Sequence, residues 1–262
     1  MLDRAGTSSP LSTLWDTTRG NDIEAAAVAN RKPVLLVVHQ RHSSPGHVGH
    51  WFSAHDIPID IRRPSLGDPL PETLEGHTGA VIFGGPQSAN DNLDYIHREI
   101  DWIGVPLREE KPFLGICLGA QMMALHLGGA VEFDPDAHAE IGYYPVWPTE
   151  EGAALLDWPE CFYHWHREGF TLPECASALA HGNRFRNQAF RFNRAFGVQF
   201  HPEITHALIN RWSTQSSHRL ALPGTRPRRE HIDAHIRHGA GQRRWLGEFL
   251  KLWVTLDPDA SR

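Results

Sequence analysis

The sequence has little cysteine: Cys117, Cys161 and Cys175 are the only three in 262 residues. Three thiols cannot build a disulfide framework, which excludes a stapled secreted scaffold. No apolar run approaches the roughly 20 residues of a membrane-spanning helix. The N-terminus lacks the apolar segment of a secretory signal. Excess positive charge is missing too. Lys and Arg total 25 against 31 Asp and Glu, a formal net charge of −6, so no basic footprint points to nucleic acid or an anionic membrane. There is no internal repeat and no low-complexity tract. Together these absences describe a soluble protein of a reducing compartment, expected in the cytoplasm. Its hydrophobic content of 40% is ordinary for a globular chain.

What is present centres on Lys111-Pro112-Phe113-Leu114-Gly115-Ile116-Cys117-Leu118-Gly119-Ala120-Gln121. The stretch reads as a short apolar strand, a glycine-flanked cysteine and a helix. Leu118, Met122 and Leu125 give the helical spacing, and Gly128-Gly129 end it. Gly115-x-Cys117-x-Gly119 is the thiol form of a strand–turn–helix nucleophile elbow. Small neighbours let the strained turn approach the adjoining strand and helix. The cysteine then stands at a helix N-terminus, where the dipole favours thiolate. Alone, the motif also fits a small buried cysteine between core elements.

A second motif, Phe196-Gly197-Val198-Gln199-Phe200-His201-Pro202-Glu203, ends a strand-like run at a histidine with a carboxylate two residues on. A thiol nucleophile needs a base in reach, and the base needs a group to orient it. Catalytic groups of α/β sheets collect at the carboxyl ends of strands, where both Cys117 and His201 fall. A third motif, Ala80-Val81-Ile82-Phe83-Gly84-Gly85-Pro86, runs a buried strand into a turn that can present bare backbone N–H. Acyl chemistry needs donors aimed at an oxyanion. Gly85 N–H and Leu118 N–H are assigned to that task.

Gly-Gly-Pro, Gly-Ile-Cys-Leu-Gly-Ala-Gln and Gln-Phe-His-Pro-Glu, in this order, resemble the class I (triad) glutamine amidotransferase family. The free-standing members related to the GMP synthase glutaminase domain are the most similar. The resemblance runs from about Val34 to Trp212. It implies that Cys117 attacks the γ-amide of glutamine, that His201 moves the proton, and that Glu203 orients His201. It implies that Gln121 contacts bound glutamine. Tyr163-His164-Trp165-His166-Arg167-Glu168 aligns with a His-Gly-Asp-like segment of the family. His166 and Glu168 then match the histidine and the acid, and Glu168 would hold the substrate α-ammonium. Arg167 departs from the pattern, since a small residue is usual there. It either grips a carboxylate of a larger substrate or pairs with Glu168 at the surface.

The expected fold is a three-layer α/β/α, flavodoxin-like arrangement on a central, mostly parallel (mixed) sheet. Residues 1–32 are read as a partly disordered polar extension with a short alanine-rich helix over 22–30. Residues 33–262 are the amidotransferase domain, with 213–262 packing on it as a C-terminal extension. Pro33–Val38 reads as a strand buried on both faces. A helix is expected from Asn90–Asp91 caps towards Gly104, with Leu93, Ile96, Ile100 and Ile103 on its core stripe and Pro106 as its stop. Ser213–His238 reads as polar and irregular. His231, His235 and His238 would make a solvated face, and Gly241–Val254 an amphipathic helix. His39, His42, His47 and His50 crowd one loop without a carboxylate or cysteine among them, so a substrate- or partner-facing loop is favoured over a metal. No metal and no cofactor are expected. The substrate is glutamine or a γ-glutamyl amide. The ammonia acceptor would be a separate synthetase subunit. Homodimer contact is open, and a catabolic γ-glutamyl hydrolase or a non-catalytic regulatory module are the rivals.

Overall fold

The computed structural model describes residues 32–257. The expected extension and its 22–30 helix lie outside the described residues, apart from Lys32.

Four short apolar runs form the centre. They are β1 (Val34–Val37), β3 (Gly79–Ile82), β4 (Phe113–Ile116) and β12 (Ala195–Val198), and every residue in them is buried. Burial on both faces explains why they read as continuous apolar stretches rather than alternating ones. With β2 (Ile59–Arg62), β7 (Trp147–Pro148), β10 (Ser177–His181) and β11 (Asn187–Phe192) they make an eight-stranded sheet. Its order is β2-β1-β3-β4-β12-β11-β10-β7. Pairing is parallel from β2 through β12 and antiparallel beyond. The mixed three-layer α/β sheet expected from the sequence is therefore present.

Alternate residues of each strand serve opposite layers. Val34, Leu36, Leu114, Ile116, Phe196 and Val198 face α1 (Gly46–Ala54) and the long C-terminal helix α7 (Arg228–Thr255). From α7 come Trp245, Leu246, Phe249, Leu250 and Trp253. Leu35, Val37, Ile82 and Phe113 face α2 (Asp94–Trp102), α3 (Gly104–Arg108) and α4 (Leu118–His126). The helix α4 is buried from Leu118 to Ala124, so it lies in the core rather than on one amphipathic face. A third cluster joins the hairpin of β6 (Glu140–Pro145) and β8 (Cys161–His166) to α6 (His206–Gln215) and the start of α7. The remaining elements are β5 (Val131–Phe133), paired with β9 (Glu168–Phe170), and α5 (Glu150–Leu155).

Several expectations need correction. The α2 helix starts at Asp94 without a side-chain cap. Asp91 instead accepts the Ser88 N–H at 3.0 Å, and Leu93 is exposed. Pro106 does not stop a helix. It sits in the first turn of α3, where a missing N–H costs nothing. The segment after α6 is far less irregular than its composition implies, because α7 already begins at Arg228. His231 is fully buried and bonds Tyr163 Oη through Nδ1 at 3.1 Å, while its Nε2–H donates to Arg226 C=O at 2.9 Å. His235 Nδ1 lies 2.7 Å from Tyr143 Oη. The histidine face of α7 thus packs onto the β6–β8 hairpin instead of facing solvent. Polar rings that find phenol and carbonyl partners can be buried, which hydropathy alone does not reveal.

Candidate active site

Parallel pairing of β1, β3, β4 and β12 puts their carboxyl ends on one edge. His39, the Gly84–Gly85 turn, Cys117 and His201 follow those strands and converge there.

Cys117 has φ 51° and ψ −104°, a strained conformation for a residue with a Cβ. The fold holds it from both sides. Its N–H donates to Val198 C=O at 2.8 Å, and its C=O accepts Gln121 N–H at 3.0 Å. A Cβ on Gly119 would lie 2.2 Å from Ile82 O, and one on Gly115 2.5 Å from Gly119 O. Both obstacles are backbone and cannot swing aside. Gly119→Ala is expected to destabilise the protein by about 3 kcal/mol, the upper range for overpacking. An unchanged urea midpoint would contradict this tight packing of the elbow.

His201 is buried. Its Nδ1–H donates to Glu203 Oε1 at 2.8 Å, and its backbone N–H donates to Tyr163 C=O at 2.7 Å. The Trp212 ring packs edge-on against it, centroids 4.8 Å apart. Its Nε2 has no hydrogen-bond partner among the described residues. A Cβ on Gly84 would lie 2.7 Å from His201 Cε1 and 3.4 Å from Cys117 Cβ, so the three residues share one small space. Burial pushes the imidazole towards neutrality. The Glu203 carboxylate and the Cys117 sulfur outweigh that and hold it up at about 10. An imidazolium beside a cysteine favours thiolate. Gln242 of α7 completes the loop: its Oε1 accepts Tyr163 N–H at 2.8 Å, and its Nε2 donates to His201 C=O at 3.0 Å.

Gly85 lies against Leu118, since a Cβ there would sit 2.9 Å from Leu118 Cδ2. Leu118 opens α4, where first-turn N–H groups have no carbonyl behind them. His39 braces the Gly-Gly turn between Gly84 C=O, 3.2 Å away, and the Glu99 carboxylate at 2.8 Å.

The aligned segment is placed beside the elbow. Glu168 is buried and accepts Ser88 Oγ–H at 2.6 Å. His166 Nδ1–H donates to Glu168 C=O at 3.0 Å. Gln121 is buried behind the elbow, donating Nε2–H to Glu168 C=O at 2.9 Å and to Gln199 Oε1 at 3.2 Å. Gln199 in turn points Nε2–H at Cys117 Sγ, 3.6 Å away. Arg167 and Glu168 do not form the surface ion pair considered for them: Glu168 is buried against Ser88, while Arg167 sits in the bend between β8 and β9. Arg167 is exposed, and its guanidinium lies over the Phe133 ring at 5.1 Å.

Sequence reasoning missed a second layer. Glu140 Oε2 lies 3.3 Å from His164 Nδ1, 3.2 Å from His166 Nε2 and 3.0 Å from Gln188 Nε2. Burial favours the protonated carboxyl, but bonds from His164 and His166 win and hold Glu140 well below the usual carboxylate range. Burial lowers His164 to about 4 despite Glu140. The group fixes the ring of His166 from behind. Glu140, His164, Gln188 and Gln199 are scattered over the chain, and only the inward face of β8, His164 and His166 at i and i+2, was a usable hint.

The class-I glutamine amidotransferase family model matches residues 55–211. A glutamine amidotransferase-like protein of Salmonella typhimurium, YfeJ, is 30% identical over 86% of this chain and 95% of its own. A glutamine-hydrolyzing GMP synthase subunit of Ignicoccus hospitalis is 34% identical over 52% of this chain and 73% of its own. A glutamine amidotransferase structure from Methylobacillus flagellatus superposes with a TM-score of 0.81 at 29% identity. It covers 87% of this chain and 96% of that one. With an elbow, a histidine and a carboxylate gathered at one edge of this sheet, the chain belongs to the class-I glutamine amidotransferase family.

Proposed function

We propose that this protein hydrolyses the γ-amide of glutamine, or of a γ-glutamyl amide, to glutamate through a thioester on Cys117. One observation carries the reading: a strained elbow cysteine shares its space with a histidine whose far nitrogen is bonded to a buried carboxylate. The Cys117 thiolate attacks the γ-carbonyl carbon. Gly85 N–H and Leu118 N–H receive the developing oxyanion. The His201 imidazolium passes its Nε2 proton to the leaving nitrogen, then takes a proton from the water that cleaves the thioester. Glu203 fixes the tautomer and orientation of the ring. Glu168, held by Ser88, receives the substrate α-ammonium. Gln121 holds the Glu168 carbonyl and Gln199 in place.

The catalytic unit in this proposal is residues 33–262, with 213–262 packed on it. Ammonia destined for synthesis would pass to a separate synthetase subunit, in line with the names of the GMP synthase relatives. A stand-alone γ-glutamyl hydrolase is the second reading, and Arg41, Arg211 and Arg219, which line the cavity beside His201, favour it. The reducing compartment expected from the sequence suits a thiol nucleophile, and all three cysteines are free. No helix among the described residues is long and apolar enough to cross a membrane.

The deciding experiment measures ammonia and glutamate released from glutamine beside a series of γ-glutamyl amides, with Cys117→Ala as control. Turnover that requires Cys117 is the expected result. Turnover that survives the substitution, or no turnover with any substrate or added synthetase, overturns the proposal.

A further inference from the structure

A cavity of about 370 Å³ opens beside His201. Its floor includes Trp165 and Trp212, and its inner wall is the Gly84–Gly85–Pro86 turn. Three arginines line it: Arg41 from the loop after β1, Arg211 from α6 and Arg219 from the turn that follows. Among the described residues Glu203 is the only acid in the lining, and it is already bonded to His201. The cavity is thus cationic in a protein of net charge −6.

The position of the cavity has a chemical meaning, given the hydrolysis proposed above. The acyl part of the substrate lies towards Glu168 and Ser88. The leaving nitrogen must lie at His201 Nε2, which gives it a proton. Cys117 is outside the lining, but Gly84, which lies against both His201 Cε1 and Cys117 Cβ, is within it, so the cavity borders the place of that nitrogen and can receive what hangs from it. Ammonia alone needs about the 30 Å³ of a water molecule, a small fraction of this space. A volume in the range of small-ligand pockets, with aromatic walls and a few charged groups, fits a larger amine.

Arg219 is the residue best placed to grip it. It is partly buried, and its Nη2 donates to Pro86 C=O at 3.3 Å, which ties it to the turn beside the elbow. Burial and the charge of Arg167 both hold its guanidinium below its ordinary value, while Cys117 and Glu168 act the other way. A guanidinium crowded by a second cation gains from an anion in the site.

We propose that this cavity is a leaving-group subsite for an amine that carries an apolar body and a carboxylate, with Arg219 as the carboxylate's partner. The substrate class is a γ-glutamyl dipeptide with a free C-terminal carboxylate. The C–N bond breaks as the Sγ–C bond forms. His201 protonates the departing amine, and water hydrolyses the thioester, so the sum is amide plus water giving acid plus amine.

The test compares γ-glutamylphenylalanine with γ-glutamylphenylalaninamide, which has the same shape without the charge, and with glutamine. The full-length protein should prefer the carboxylate over its amide at least about tenfold in kcat/KM, the scale of one charge-assisted hydrogen bond. Arg219→Ala should bring that ratio to near one, and Arg219→Lys should restore part of it. Equal losses on glutamine and on the dipeptide would overturn the subsite and move Arg219 to the glutamate end. No preference in the unaltered protein would also overturn it. Calorimetric binding of both dipeptides to Cys117→Ala reads the subsite without turnover. Selective binding of the acid, lost in the Cys117→Ala, Arg219→Ala double variant, supports the subsite even where hydrolysis is not observed. Glutamine hydrolysis with no binding of the acid rejects the subsite alone.

Discussion

Cys117→Ala is expected to abolish turnover while leaving the folded state intact, and Cys117→Gly is expected to be more stable than the alanine variant. Among the described residues the one donor placed on the thiol is Gln199 Nε2, at a long 3.6 Å, so little packing or hydrogen bonding is lost with the sulfur. The strain resides in the backbone at φ 51°, ψ −104°, where a Cβ is unwelcome. Alanine keeps the Cβ and therefore the strain. Glycine relieves about 1–3 kcal/mol of it and loses roughly 0.5–1 kcal/mol to unfolded-state freedom. Urea midpoints of the two variants should then differ by about 1 kcal/mol in favour of glycine. Residual activity in either variant would remove Cys117 from the reaction. A less stable glycine variant would mean that the elbow is not strained.

His201→Asn is expected to slow turnover by at least about 10²–10⁴, the usual contribution of a positioned acid–base group. The same substitution should change how stability depends on pH. In the folded protein His201 is held at about 10, above the 6.5 of an unperturbed imidazole. Between those values the native state binds a proton that the unfolded chain has released. The stabilisation is complete below 6.5 and is lost as pH rises through about 10. Thermal midpoints of the Cys117-intact protein should fall across this window, and those of His201→Asn should fall less.

Much of the fold was legible because both-face burial leaves an unmistakable mark. Val34–Val37, Gly79–Ile82 and Phe113–Ile116 are apolar without interruption, as strands buried on both faces are, and their shortness and flanking turn residues separate them from a buried helix such as α4. Cys117, His201 and Glu203 were legible because each lies within a few residues of a strand end, where local motif and position coincide. The structure brings those three together. Legibility failed where a residue's partner is remote in sequence. Glu140 meets His164 and His166 across the β6–β8 hairpin, and Gln121 reaches Gln199 across the sheet. His231 looked solvated because its partners, Tyr163 and the Arg226 carbonyl, come from packing that the sequence does not state. Arg219 was hidden for a similar reason. A polar segment after α6 gives no sign that one of its side chains will reach back to Pro86.

The amide of Gln242 has a consequence for the order of events during synthesis. The backbone around His201 is finished by a side chain that the ribosome delivers 41 residues later, from the middle of the last helix. Until then Tyr163 N–H lacks the acceptor that Gln242 supplies, and enclosing it unpaired would cost about 1–3 kcal/mol, while the His201 carbonyl keeps the Ile204 N–H at 3.3 Å. The elbow itself waits for β12, whose Val198 C=O holds the Cys117 N–H at 2.8 Å, and the His201 loop waits longer still for Gln242. Cys117 and His201 are therefore fixed beside each other only once α7 is in place.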